Sequence, residues 1–123
     1  MIYFVGAGSG APDLITVRGK QLIETADILI YAGSLVNPEL LLYAGPDCKL
    51  YNSAEMTLEE VFKVMEEGEL AGEDTVRLHT GDPCLYGAIR EQMDLLDEKE
   101  LPYDYCPGVS SFCGAASALN LEY

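Results

Sequence analysis

Histidine occurs once in these 123 residues, at His79. No Ser-His-Asp set and no pair of histidine ligands can be built around it, which removes triad hydrolysis and histidine-based zinc chemistry. The four cysteines, Cys48, Cys84, Cys106 and Cys113, contain no C-x-x-C pair, and the histidine is not spaced to complete a zinc site. No metal is expected. The thiols are expected to be reduced and structural, with Cys84 set apart because it follows a Gly-Asp-Pro turn. Basic residues are also scarce. Seven Lys and Arg stand against twenty-one Asp and Glu, a formal charge of −14. Such a field repels nucleic acid and anionic membrane, so neither is expected as a partner. No apolar run is long enough to span a bilayer. The opening Met1-Ile2-Tyr3-Phe4-Val5-Gly6 has no basic n-region and no signal-type cleavage site, so the expected location is the cytoplasm. Internal repeats and low-complexity segments are absent.

What is present is a regular alternation. Hydrophobic residues make up 49% of the chain, enough for one domain with a real core. Short apolar runs predict strands over 2–5, 27–31, 49–51, 75–79 and 103–106. Helices are predicted over 14–25, 38–43, 86–99 and 110–119, with a further one opening on the Thr57-x-x-Glu60 capping box. In the first helix Leu14, Val17, Gln21, Leu22 and Ala26 are expected to share a side, and Asp13 to cap or charge its start. Alternating strands and helices specify an α/β fold: a doubly wound, mostly parallel five-stranded sheet with helices on both faces. Residues 1–123 are expected to be one domain, cut at a boundary beyond which a second follows.

In a parallel sheet the loops that leave the carboxyl ends of the strands share one edge, where ligands bind. Here those loops are 6–12, 32–36, 80–83 and 107–111, all rich in Gly, Pro, Ser or Thr. Together they predict a binding cleft. The first fits G-x-G-x-x-A through Gly6, Gly8 and Ala11, the pattern of a dinucleotide fingerprint. Two details oppose that reading. Pro12-Asp13 places a missing donor and a carboxylate where a phosphate would sit. The acidic residue expected at the end of the second strand is missing, since Asp27 lies at that strand's beginning. Thr80-Gly81-Asp82-Pro83 is the more informative loop, because glycine admits a ligand to the backbone and proline fixes the turn. Asp82 either accepts hydrogen bonds from a ligand or charges a helix N-terminus. His79 reads as structural. A cleft with few acid–base groups suits chemistry carried by a cofactor.

Three strings, taken in order, resemble the tetrapyrrole methylase family. They are Gly6-Ala7-Gly8-Ser9-Gly10-Ala11-Pro12-Asp13-Leu14-Ile15-Thr16, then Thr80-Gly81-Asp82-Pro83, then Pro107-Gly108-Val109-Ser110-Ser111. Residues 30–36 and 76–83 are similar to the branch that acts on precorrin-4 or cobalt-precorrin-4 at C-11. The resemblance covers this whole chain and only the first half of the family's enzymes. It implies S-adenosyl-L-methionine as cofactor, a tetrapyrrole as substrate, a missing C-terminal domain and a homodimer. It also implies cofactor-binding roles for Pro12, Thr80, Gly81, Asp82, Leu85, Tyr86, Ser110 and Ser111. Gly8, Ser9, Gly10 and Ser34 would face the substrate trough. No catalytic residue is assigned, because in-line methyl transfer from a sulfonium needs alignment and desolvation more than acid–base help. Arg18, Lys20, Lys49, Arg77 and Arg90 are the candidate cations for substrate carboxylates. The alternatives are another tetrapyrrole methylase, a dinucleotide-binding oxidoreductase domain and a non-catalytic scaffold.

Overall fold

The apolar runs pair side by side into one sheet. A computed structural model describes residues 1–84 and 89–122. Its strands are β1 (Ile2–Gly6), β2 (Ile28–Tyr31), β3 (Lys49–Asn52), β4 (Thr75–His79) and β5 (Tyr103–Cys106). They lie in the order β3-β2-β4-β1-β5, and every pairing is parallel. Parallel neighbours need a crossover, and helical segments fill the intervals between the strands.

Alternation along the strands divides the core into two layers. Val5, Leu29, Val76, Leu78 and Cys106 face one way, packed with Ile23 of α1 (Val17–Thr25) and Leu40 of the 3-10 helix Pro38–Tyr43. Ile2, Phe4, Ile28 and Ile30 face the other way, against Val61 and Met65 of α2 (Leu58–Leu70) and Met93 and Leu96 of α3 (Arg90–Glu98). Helices cover both faces, as the alternation predicts. α2 opens on the predicted capping box: Thr57 Oγ1 accepts from the Glu60 amide at 3.1 Å, and Glu60 Oε1 accepts from the Thr57 amide at 3.2 Å.

The start of α1 differs from expectation. Residues Pro12–Leu14 form a separate 3-10 turn, and Thr16, not Asp13, caps α1 by accepting from the Gly19 amide at 3.0 Å. The helical phase therefore begins later. Gly19, Ile23 and Ala26 are buried, while Leu14, Val17 and Gln21 are exposed. Gly19 lies close to β1, for a Cβ there would meet Val5 Cγ1 at 3.2 Å. The helix predicted over 86–99 is seen from Arg90 to Glu98; residues 86–88 lie outside the described ones. α4 (Ser111–Leu119) buries only Ala116 and leaves Phe112 and Leu119 exposed. For that reason Cys113 is exposed, contrary to expectation; Cys84, set apart from the start, is exposed as well. Only Cys106 is fully buried, and all four thiols are free.

β4 carries an unusual strip. Thr75, Arg77 and His79 are all buried on the α2–α3 side. His79 stacks on Phe4, with ring centroids 6.1 Å apart. Its Nε2 has no hydrogen-bond partner among the described residues, so it is structural without being satisfied. Burial, and then the nearby Arg77 charge, lowers its pKa from 6.5 to about 3. The folded state keeps the ring neutral, whereas the unfolded chain protonates it below pH 6.5. Stability from this group is full above pH 6.5 and falls as pH drops toward 3, with a slope approaching about 1.4 kcal/mol per pH unit. Urea titrations of the parent and of His79→Leu between pH 7 and pH 4 are expected to show a shallower pH slope in the variant; parallel curves would refute the buried neutral histidine.

Candidate functional site

Three glycines bring three loops into backbone contact at the carboxyl edge. A Cβ on Gly6 would sit 2.6 Å from both Gly108 Cα and the Gly81 carbonyl oxygen. A Cβ on Gly108 would likewise collide with that oxygen and with Gly6 Cα. Gly81 itself has φ +63, a conformation that glycine adopts without strain. Gly6 and Gly108 leave no room for a side chain, and Gly81 is restricted by its backbone conformation.

Asp82 locks the junction. Its Oδ2 accepts from the Gly108 amide at 3.0 Å. Its Oδ1 accepts from the Cys84 amide at 2.9 Å and from the Tyr105 hydroxyl. The Tyr105 hydroxyl also accepts from the Cys84 amide at 3.1 Å. Burial would push the Asp82 carboxyl up. The bonds from Tyr105, Cys84 and Gly108 outweigh it and hold the pKa at about 2, against an ordinary 3.8. Burial and the Asp82 charge both push the Tyr105 phenol up, so it stays protonated and donates. Both carboxylate oxygens of Asp82 are engaged with the protein, across two loops.

Further ties join the remaining loops. Thr80 Oγ1 donates to the Leu35 carbonyl at 3.0 Å, and Asn37 Nδ2 donates to the Gly10 carbonyl at 2.8 Å. Ser9 packs on α4 where Gly114 leaves room, since a Cβ at Gly114 would overlap Ser9 Cβ. Asn37 and Tyr105 were not among the sequence candidates. Asn37 precedes Pro38, a helix-start pattern that points to it, and its Oδ1 indeed accepts from the Glu39 amide at 2.9 Å. Tyr105 has no such signal, because its role depends on the parallel pairing of β5 with β1.

The glycine loop is not a pyrophosphate cradle. The Ala7 amide donates to the His79 carbonyl at 2.6 Å, and Gly8 and Gly81 exchange both amide bonds at 3.2 and 2.8 Å. β1 leads to α1 on one face and β4 leads to α3 on the other, so the topological switch point lies between them. The Gly8–Gly81 bridge spans that point. The first turn of α1 is already capped by Thr16. The Ala7 and Gly8 amides, and the Gly19 amide in the first turn of α1, which a phosphate could use, are engaged within the protein.

The remaining predicted residues fall as follows. Pro12 is half-buried, Gly8 is buried and Gly10 is exposed. Ser110 is buried and caps α4, accepting from the Cys113 amide at 3.2 Å. Ser111 beside it is exposed. Ser34 belongs to the 3-10 turn Gly33–Leu35, and Leu85 and Tyr86 lie outside the described residues. Among the cations, Lys49 sits at the amino end of β3 near Glu73, 3.9 Å away. Arg90 pairs with Asp94 at 3.0 Å, Lys20 lies 5.1 Å over the Tyr43 ring, and Arg77 is buried. Arg18, exposed in the first turn of α1, is the one of the five left open at the loop edge. This edge offers backbone, hydroxyls and few cations, in a chain of charge −14. The scarcity of cations and the negative field suit a cationic ligand better than a pyrophosphate. No cluster of metal-ligating residues occurs among the described residues.

Removing the Tyr105 bond tests the lock. Asp82's contribution to stability is full above its ordinary 3.8 and is lost as pH falls through about 2. Tyr105→Phe is expected to cost roughly 1.5–3 kcal/mol, the range for a hydrogen bond to a charged group. It should also move the acid loss to higher pH, as the carboxyl returns toward its ordinary value. Acid titration followed by circular dichroism reads both; an unchanged acid midpoint would contradict the lock.

A family model for Tetrapyrrole (Corrin/Porphyrin) Methylases matches residues 1–123. The chain is 50% identical over 121 residues to a cobalt-precorrin-4 C(11)-methyltransferase of Methanocaldococcus jannaschii, covering 98% of this chain and 47% of that protein. It is 45% identical to a precorrin-4 C(11)-methyltransferase of Sinorhizobium sp, covering 98% and 48%. Among solved structures, a cobalt precorrin-4 methyltransferase of cobalamin biosynthesis superposes with TM-score 0.95 at 44% identity, covering 98% of this chain and 51% of that one. A uroporphyrin-III C-methyltransferase of Thermus thermophilus, complexed with S-adenosylhomocysteine, superposes with TM-score 0.79 at 30% identity, covering 94% and 47%. The chain spans about half the length of the curated relatives it matches. With all of its residues matched and its loop edge built from the three strings that carried the resemblance, the chain belongs to the tetrapyrrole methylases.

Proposed function

We propose that the chain is the first half of an S-adenosylmethionine-dependent methyltransferase. Its reaction is C-11 methylation of precorrin-4 or cobalt-precorrin-4 in cobalamin biosynthesis, in the cytoplasm and as a homodimer. The observation that carries this reading is the gradient of similarity. Identity is 50% to the corrin C(11)-methyltransferase, across 98% of the chain. The solved corrin enzyme fits with TM-score 0.95 at 44% identity, against 0.79 to 0.87 at 30% identity for structures of the uroporphyrin-III enzyme.

In this reading the loop edge forms half of the cofactor site. When bound, the cofactor supplies an electrophilic methyl group on a sulfonium that leaves as a neutral thioether. The protein's part is placement. Thr80 and Gly81 present backbone along the ledge, Pro12 bounds it from the first loop, and Ser111 offers an exposed hydroxyl. Ser110 holds the start of α4, and Asp82 acts through the junction, with its side chain turned to Tyr105 and Gly108. Leu85 and Tyr86 complete the cofactor stretch; Gly8, Ser9, Gly10 and Ser34 border the trough. The exposed apolar residues of α4, Phe112 and Leu119, suit a covering second α/β half. That half would exclude water from the sulfonium and bring most of the cations for substrate carboxylates.

The dinucleotide-domain alternative has little support, since its phosphate donors are spent within the protein. Calorimetry separates the readings. A chain extended by the second half of its relatives is expected to bind S-adenosylhomocysteine and to methylate cobalt-precorrin-4 at C-11. Residues 1–123 alone are expected to bind it at least tenfold more weakly and to show no turnover. Tight NAD binding by residues 1–123, or methylation by them alone, would overturn this account.

A further inference from the structure

Arg77 lies in the central strand β4 and is only 8% exposed. Its Nε donates to Gln92 Oε1 at 3.2 Å. Its Nη1 is buried and has no hydrogen-bond partner among the described residues. No carboxylate among the described residues pairs with it. Burial is the sole influence on its pKa, lowered to about 10, so no acid acts on it appreciably. A buried charge without a counter-charge is costly, by several kcal/mol in real proteins. Chains normally avoid that state by pairing the charge.

Beside the guanidinium is a cavity of about 140 Å³, lined by Arg77, Gln92, Ser53, Thr57, Leu58 and Val61, among others. Thr57 and Leu58 are the cap and first residue of α2, a helix of 13 residues. The capping box satisfies its Thr57 and Glu60 amides, and that capped end borders the cavity. Glu60, the nearest acid in that turn, is held to the Thr57 amide at 3.2 Å and forms no ion pair with Arg77. One buried guanidinium edge without a partner among the described residues thus meets a cavity with hydroxyls at hand.

We propose that this cavity binds one small singly charged anion of the size of formate or chloride, free or as the carboxylate end of a ligand arm. The ion replaces the missing counter-charge of Arg77. A cavity of this size holds such an ion with room for a water.

Thermal unfolding of the protein, with formate replacing bulky gluconate at constant ionic strength, tests the site. The melting temperature is expected to rise saturably, by roughly 5 °C at ten times the dissociation constant. Gln92→Glu supplies an internal carboxylate to the same Nε, so its melting temperature should be higher in gluconate and should not respond to formate. Chloride-35 line broadening that formate removes gives a readout independent of stability, and Arg77→Met should abolish it. Uroporphyrin, with its many carboxylate arms, distinguishes the sources. Suppression of the formate response by uroporphyrin indicates a ligand arm, persistence a free ion, and either supports the site. No saturable formate effect in the parent, or an undiminished one in Gln92→Glu, would overturn it.

Discussion

Three α-carbons that cannot carry side chains set the shape of the functional edge. Gly6, Gly81 and Gly108 end or follow three adjacent strands; a methyl group on Gly6 or Gly108 would collide with the neighbouring backbone, and Gly81 holds a positive φ that glycine adopts without strain. The contact has no directional strength of its own. It persists because β1, β4 and β5 are locked in register beneath it and because Asp82 bonds across two of the loops. A junction made of backbone has little freedom to relax, so the positions of Thr80, Pro12 and Ser111 follow from the sheet itself. Preorganisation of this kind suits a reaction that needs alignment more than proton transfer.

The same constraint explains how a glycine-rich loop can follow a strand and precede a helix without gripping a phosphate. Bridging to Gly81 spends its amides, and the turn Pro12–Leu14 delays the helix until Thr16 caps it. The acidic surface agrees. Of the glutamates expected on a solvated face, Glu55, Glu59, Glu60 and Glu67 are exposed while Glu66 and Glu69 are half-buried, Glu69 pairing with the Met1 amino group at 2.8 Å; such a field favours a cationic ligand over a polyphosphate. It also leaves the carboxylates of a tetrapyrrole to be met by other groups, since Lys20, Lys49 and Arg90 are engaged elsewhere.

Elements dictated by local pattern were legible in the sequence. β4 runs from Thr75 to His79 as its apolar character predicts, and the Thr57–Glu60 box opens α2 where expected. The start of α1 was not legible, because Asp13 and Thr16 are both competent caps and only the close approach of Gly19 to β1 favours the later one. The edge that carries the loops could be deduced from parallel topology, but the partners on it could not. Tyr105 reaches Asp82 only because β5 pairs with β1 and not with β3. Arg77 reads as a candidate cation for substrate carboxylates until strand alternation turns it inward beneath α2 and α3.

Amide hydrogen exchange at the junction is the most direct test of this account. If the glycine contact and the Asp82 lock hold the edge, the Gly8, Gly81 and Gly108 amides, bonded respectively to Gly81, Gly8 and Asp82, should exchange with protection close to that of the β1 and β4 amides. Exchange at these three glycines as fast as in an open loop, with the strands still protected, would contradict it.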